Sequence, residues 1–83
     1  MTGLALGCLP EIKQVHLVIS ELIKAKAKHP EFPENPAEAF CIISEELGEL
    51  AEAINDGDSV DHLREEAAHV AVTAIRFLER LEK

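Results

Sequence analysis

Acidic side chains recur at helical spacing in two segments of this 83-residue chain. Residues 44–54 read Ser-Glu-Glu-Leu-Gly-Glu-Leu-Ala-Glu-Ala-Ile, and a shorter segment, Glu66-Ala-Ala-His69, follows. Residues three apart on a helix lie on the same side of it. The pairs Glu46/Glu49 and Glu66/His69, on two neighbouring helices, therefore offer four converging ligands for a divalent cation. The spacing predicts a metal site between these two helices.

The direction of each acid follows from the turn of about 100° per residue in an α-helix. Glu46 and Glu49 fall on a flank that also carries apolar residues, whereas Glu45 falls on the arc farthest from the apolar seam. Carboxylates buried near one another are costly, and their pKa values rise unless a cation is present. A divalent cation removes both penalties, so we expect Glu46 and Glu49 to be ligands.

Three helices are predicted to position these residues, over about 10–28, 36–55 and 59–82. A segment with three prolines, residues 29–36, cannot continue a helix. It ends in Asn35-Pro36-Ala37-Glu38, which places an N-cap residue before a proline and predicts the start of the second helix. Asn55-Asp56-Gly57 predicts its end, with Asp58 as the next N-cap. No strand-like alternation is present.

The predicted architecture is an all-α, three-helix antiparallel chain that oligomerises into a helical bundle. Residues 1–9 are expected to form a loosely ordered arm before a single domain over 10–83. The apolar seams follow alternating spacings of three and four. In the second helix they comprise Phe40, Ile43, Leu47, Leu50 and Ile54, and in the third Val60, Leu63, Ala67, Val70, Ala74, Phe77 and Leu81. The apolar arc of the third helix is wide enough that we expect it to pack against a symmetry mate.

Composition excludes several classes of function. Sixteen acidic against eight basic residues give a net charge of −8, which disfavours binding to duplex nucleic acid. No apolar run approaches the roughly 18 residues of a membrane span. Cys8 and Cys41 have no metal-ligand spacing and are interpreted as buried thiols of a reducing compartment. These features predict a soluble, cytoplasmic protein.

The acidic segments together resemble the signature of the MazG-like, all-α nucleoside triphosphate pyrophosphohydrolases. The close part is Glu-Glu-Leu-Gly-Glu-Leu-Ala-Glu-Ala-Ile over residues 45–54, followed on the next helix by Glu66 and the residue at position 69. The order of helix, Pro-rich loop, helix, short loop and helix is also similar over residues 11–82. Either acidic segment alone is common on exposed helices.

The resemblance implies a homodimer or homotetramer that hydrolyses a (deoxy)nucleoside triphosphate to the monophosphate and pyrophosphate. Glu46, Glu49, Glu66 and His69 would hold Mg²⁺, which bridges the phosphates and activates water. Glu45 matches the first acid of the motif, and the resemblance implies a base or supporting role for it. A base pocket would come from the first helix and the Pro-rich loop, where the candidates are His16, Phe32, Asn35 and Phe40.

The chain departs from the family at His69, where aspartate is usual. Imidazole is a poor ligand for Mg²⁺ and a better one for Mn²⁺, iron or Zn²⁺, so the histidine shifts metal preference or removes a ligand. One alternative is a catalytically degenerate oligomer of the same fold that binds nucleotide or protein. A further alternative is a di-iron carboxylate protein, because Glu66-x-x-His69 has the spacing of the ligands in such bundles.

Overall fold

Three α-helices make up most of residues 9–82, the part of the chain that the computed structural model describes: α1 (Ile12–Lys28), α2 (Pro36–Asn55) and α3 (Val60–Leu81). No strand occurs within these residues, which confirms the all-helical, three-helix prediction. The observed ends lie within two residues of the predicted ones. Apart from Leu9, the predicted N-terminal arm lies outside the described residues, as does Cys8.

Local capping interactions define where α2 and α3 begin. Asn35 Oδ1 accepts hydrogen bonds from the backbone N–H groups of Ala37 (2.8 Å) and Glu38 (3.2 Å), immediately before Pro36. Ser59 Oγ accepts from the N–H of His62 at 3.1 Å, so the N-cap of α3 is Ser59 and the prediction of Asp58 was wrong by one residue. These bonds satisfy N–H groups that have no partner within the helix.

The turn between α2 and α3 requires the glycine that the sequence places there. Gly57 has φ 69°, a left-handed conformation that L side chains rarely adopt. The N–H groups of Gly57 and Asp58 donate to carbonyls in the last turn of α2, at 3.1 and 3.0 Å. The chain thereby reverses within residues 56–59, and α2 and α3 pack against each other in opposite directions.

Helix α3 lies between the other two helices. It packs against both α1 and α2, whereas the backbones of α1 and α2 stay apart. Glu21 of α1 is paired with His69, and Lys26, further along α1, is paired with Glu79, so α1 and α3 run in the same direction. The result is an up-down-up arrangement in which α3 forms the floor of a groove between α1 and α2.

The buried face of α2 differs from the predicted seam. Ala39 and Ala53 are buried, and Glu46 lies midway between them at a spacing of seven residues, on the side that faces α3. Large predicted seam residues are instead exposed to solvent: Phe40 by 61%, Leu47 by 55% and Ile54 by 57%. Small alanine side chains allow the two helices to approach closely. The line of Ala39, Glu46 and Ala53, which lies about 100° around the helix from Leu47, therefore faces α3, and the seam residues Ile43 and Leu50 are half-buried between the two lines.

The same correction applies to α3. Its buried residues are Ala68, Val72, Thr73 and Arg76, none of which belongs to the predicted seam. The seam residues Val60, Ala67, Ala74 and Leu81, each seven positions from the next, are exposed. Within residues 9–82, the exposed heptad lines of apolar residues on α2 and α3 are therefore uncovered.

Little apolar material is buried in one copy of the chain. Among residues 9–82, no large side chain is completely shielded from solvent, and the buried apolar residues are Phe32, Ala39, Ala53, Ala68 and Val72. The radius of gyration is 14.2 Å, compared with about 12 Å for a compact domain of this length. The predicted burial of Cys41 was also wrong, because its thiol lies on an exposed face of α2. No helix in the described part is long and apolar enough to cross a bilayer.

Candidate metal centre

The groove between α1 and α2 has a volume of about 760 Å³ and is lined by both acidic and basic side chains. Its apolar floor includes Val72 of α3, and Ile42 of α2 contributes to one wall. The charged residues along it are Glu21, Lys24, Lys28, Glu31, Glu45, Glu46, Glu49, Glu66 and Arg76, together with His29 and His69. A mixed lining of this kind suits a ligand that carries both phosphates and a bound cation.

Three side chains converge at the acidic part of the groove. Glu46 of α2 and the pair Glu66/His69 of α3 each offer one ligand atom, and these atoms lie within 4.8 Å of one another. His69 Nδ1 is 3.8 Å from Glu46 Oε1 and 3.9 Å from Glu66 Oε1. The inward direction of Glu46 follows from the alanine line on α2, and Glu66 and His69 share a side of α3 because they are three residues apart.

One oxygen of each of the two carboxylates lacks the hydrogen bond that burial normally requires. Glu46 Oε1 and Glu66 Oε1 are both shielded from solvent, and neither accepts a hydrogen bond from any group of residues 9–82. An unpartnered buried acceptor costs about 1–3 kcal/mol, more when it is charged. Two such oxygens that face one imidazole nitrogen form a cluster of the size and donor type that binds a divalent transition metal. The residues present therefore fit a metal ion.

Electrostatics at Glu46 agree with this geometry. Burial raises the pKa of the Glu46 carboxyl group, and the negative charges of Glu49, Glu66 and Glu45 raise it further, while His69 acts in the opposite direction. Burial and the neighbouring negative charges both disfavour the ionised form of this carboxyl group, and a nearby positive charge would favour it. A bound cation would supply that charge.

Helix α1 contributes a residue that we did not predict. Glu21 is only 11% exposed, and its Oε1 is 3.2 Å from Nε2 of His69. The sequence carried the same signal that identified Glu46, namely an acid with apolar residues one turn away on both sides, here Leu17 and Ala25.

His62 lies within ion-pair distance of the second oxygen of Glu66. Its Nε2 lies 3.3 Å from Glu66 Oε2 and 3.6 Å from Asp58 Oδ2. His62 lies one turn before Glu66 on α3 and therefore reaches along the helix toward it. This contact leaves the other oxygen of Glu66 to face Glu46 and His69.

The structure brings together some of the predicted site residues and separates others. Glu46, Glu66 and His69 form the cluster. Glu49 is exposed on the groove wall and does not join the cluster, although it is close enough to raise the pKa of Glu46. Glu45, placed by helical geometry on the arc opposite the seam, also lines the groove.

The Pro-rich loop is fastened to α3 by two arginines. Arg76 Nη2 donates to the carbonyl of His29 at 2.8 Å, and its guanidinium lies 5.2 Å from the centre of the Phe32 ring. Arg80 Nε donates to the carbonyl of Phe32 at 2.9 Å. Arg76 is 6% exposed, and its Nε has no hydrogen-bond partner in the described part of the chain. The loop therefore forms a fixed wall beside the groove, with Phe32 buried and Asn35 serving as a cap.

No protein-family model matches the chain, and no curated protein or solved structure is significantly similar to it.

Proposed function

We propose that the chain hydrolyses (deoxy)nucleoside triphosphates to the monophosphate and pyrophosphate, with a divalent cation held in the groove. The observation that carries the proposal is the pair of shielded, unpartnered oxygens of Glu46 and Glu66, which face Nδ1 of His69. The resemblance of residues 45–54 and 66–69 to the MazG-like pyrophosphohydrolases supports the same reaction.

Glu46, Glu66 and His69 would hold the cation. When bound, a divalent cation neutralises phosphate oxygens and lowers the pKa of a coordinated water. Glu45, exposed on the groove wall, is the proposed acceptor of the proton from the attacking water. The water oxygen would bond to the α-phosphorus as the bond from that atom to the oxygen bridging the α- and β-phosphates breaks, and pyrophosphate would leave with the bridging oxygen. Mg²⁺ is the metal implied by the resemblance to the MazG-like family, while the imidazole ligand of His69 favours Mn²⁺ over Mg²⁺.

Basic residues of the same chain are available for the phosphate chain of the substrate. Lys24 and Lys28 line the groove from α1, opposite the acids of α2, and Arg76 lines it from α3. Arg76 is buried and already bonded to the Pro-rich loop, and Lys24 is paired with Glu21, so the exposed Lys28 is the freer donor. The groove volume lies within the range of about 300–1,000 Å³ that small-molecule sites occupy.

The proposed active form is a homodimer or homotetramer. Exposed apolar residues recur every seven positions on α2, at Phe40, Leu47 and Ile54. A second such line on α3 comprises Val60, Ala67, Ala74 and Leu81. Heptad spacing on two neighbouring helices is the pattern that drives helices of separate chains to pack together. The stripes face away from the side of α2 that carries Glu46, so assembly would leave the cluster in place.

The proposed reaction is tested by incubating the chain with each of the eight common nucleoside and deoxynucleoside triphosphates in the presence of Mn²⁺ or Mg²⁺. The release of pyrophosphate and monophosphate is then measured. Glu66→Gln is expected to abolish turnover, while Glu65→Gln, an equal change of charge at the exposed neighbouring position, is expected to preserve it. Turnover that survives in Glu66→Gln would show that the reaction does not use this cluster.

The second candidate is a nucleotide-binding or protein-binding oligomer without catalysis. His69 lies within ion-pair distance of Glu21, Glu46 and Glu66, so a protonated imidazole could neutralise the cluster in place of a metal ion. This candidate predicts no pyrophosphate release from the natural chain with any of the triphosphates and recovery of release in His69→Asp. Release by the natural chain would exclude it.

A further inference from the structure

We propose that Glu21 is a positioning residue that fixes the tautomer of His69 and thereby makes the metal site select transition-metal cations, such as Mn²⁺, over Mg²⁺. The inference rests on the proposed function, because it concerns the same metal site. It adds a residue from α1, which neither helical spacing nor the family resemblance assigned to the site.

The contact between Glu21 and His69 determines which ring nitrogen carries the hydrogen. Glu21 Oε1 lies 3.2 Å from His69 Nε2. An ionised carboxylate only accepts hydrogen bonds, so Nε2 must be the donor. In the neutral imidazole the lone pair is then on Nδ1, and a metal binds a histidine through the nitrogen that has the lone pair.

Nδ1, the nitrogen with the lone pair, is also the one that faces the two shielded carboxylate oxygens. Nδ1 is the nitrogen 3.8 Å from Glu46 Oε1 and 3.9 Å from Glu66 Oε1, and those are the two shielded oxygens without hydrogen bonds. A cation between them would complete a carboxylate–histidine–metal arrangement with Glu21 as the outer carboxylate. One nitrogen and two oxygen ligands favour Mn²⁺, Fe²⁺ or Zn²⁺, since imidazole suits these metals better than Mg²⁺.

Glu21 is itself held in place. Its side chain is 11% exposed, and Lys24, one turn later on α1, donates to the other oxygen, Oε2, at 3.3 Å. The two oxygens thus have separate partners, and Oε1 remains directed at the imidazole. Because Glu21 is on α1 whereas Glu46 is on α2, the site depends on both walls of the groove.

The proposal is tested by measuring the affinity of the chain for Mn²⁺ and for Mg²⁺ by calorimetry, in the absence of nucleotide. Loss of an outer carboxylate of this kind typically weakens metal binding about 10–100-fold. We expect Glu21→Ala to weaken Mn²⁺ binding by that factor with little effect on Mg²⁺, and Glu21→Gln, whose amide oxygen still accepts from Nε2, to retain most of the affinity. Glu31→Ala removes the same charge from the same groove without touching His69 and is the matched control.

Two spectroscopic readouts separate positioning from general charge. Nitrogen-15 NMR of the metal-free chain is expected to show His69 with its hydrogen on Nε2, and Glu21→Ala to lose this preference. Pulsed electron paramagnetic resonance of the Mn²⁺-loaded chain is expected to show coupling to an imidazole nitrogen, absent in His69→Asp. Circular dichroism verifies that each variant is helical. If Glu21→Ala does not fold, Glu21→Met, which favours the helix but cannot accept a hydrogen bond from Nε2, serves as the test variant and is expected to show the same loss of Mn²⁺ affinity.

The proposal is overturned if Glu31→Ala weakens Mn²⁺ binding as much as Glu21→Ala, or if the bound Mn²⁺ shows no nitrogen coupling. Neither measurement uses a nucleotide. A chain that binds Mn²⁺ as described but releases no pyrophosphate would therefore refute the proposed function alone. A chain that turns over substrate with unchanged metal affinity in Glu21→Ala would refute this inference alone.

Discussion

Replacing Leu47 with glutamine tests whether the exposed stripe of α2 is the interface between copies of the chain. Complete burial of a leucine side chain contributes about 1.5–3 kcal/mol. Because Leu47 is 55% exposed, its burial in an interface would contribute about 0.8–1.6 kcal/mol per copy, and twice that in a two-fold symmetric dimer. Leu47→Gln should therefore raise the dimer dissociation constant about 15- to 250-fold, as measured by sedimentation equilibrium over a range of concentrations.

Ile23→Gln is the matched control, because Ile23 is 65% exposed but lies on α1, outside both stripes. It should leave the dissociation constant unchanged. A chain that stays monomeric at all concentrations would contradict the proposed interface, as would equal weakening by both variants. Glutamine is a good helix former, so helicity measured by circular dichroism should be similar in both.

Three further predictions follow from the cluster and the helix cap. Mn²⁺ at about 100 times its dissociation constant should stabilise the fold by about 2.7 kcal/mol and raise the melting temperature by about 10–20 °C, and a chelator should reverse the shift in a thermal melt. Because the pKa of Glu46 is raised above its ordinary value of 4.5, Glu46 binds more protons in the folded state than in the unfolded state, and its contribution to the stability of the metal-free chain should fall as the pH rises from 4.5 through the raised pKa. Glu46→Gln should remove this contribution, so that without metal it gains about 1 kcal/mol over the wild type at pH 7, as measured by urea denaturation, and it should lose the Mn²⁺ effect. A stability difference between Glu46→Gln and the wild type that does not increase from pH 4.5 to pH 7 would contradict the account. Asn35→Ala should cost about 1 kcal/mol in the same experiment, since it removes the acceptor for two N–H groups at the start of α2, whereas an unchanged midpoint would contradict the capping role.

The sequence predicts the helices well because their ends depend on local chemistry. The Asn35 cap followed by Pro36 begins α2, and Gly57 ends it, through interactions with residues next to them in the sequence. The positions of these helix ends therefore do not depend on tertiary contacts. Two of the three residues of the cluster, Glu66 and His69, were predictable for the same reason. The i,i+3 spacing of Glu66 and His69 fixes their shared side of α3.

The faces that the helices turn toward each other were not predictable in this way. The periodic seam of bulky residues on α2 was expected to pack within the chain, but the alanines at 39 and 53 allow closer contact with α3 and place Glu46 at the interface. This rotation brings Glu46 into the cluster and leaves Glu49 on the exposed wall. The part played by Glu21 depends on how α1 docks on α3, a tertiary contact 48 residues apart in sequence.

Diffraction from crystals grown with Mn²⁺ and a non-hydrolysable nucleoside triphosphate analogue tests the central claim most directly. The anomalous signal of manganese identifies each bound ion independently of the protein density. We expect a manganese ion in the groove, coordinated by Glu46, Glu66 and Nδ1 of His69 and by phosphate oxygens of the analogue. Manganese found only at exposed acids outside the groove, with the imidazole of His69 paired to the carboxylates instead, would contradict the account.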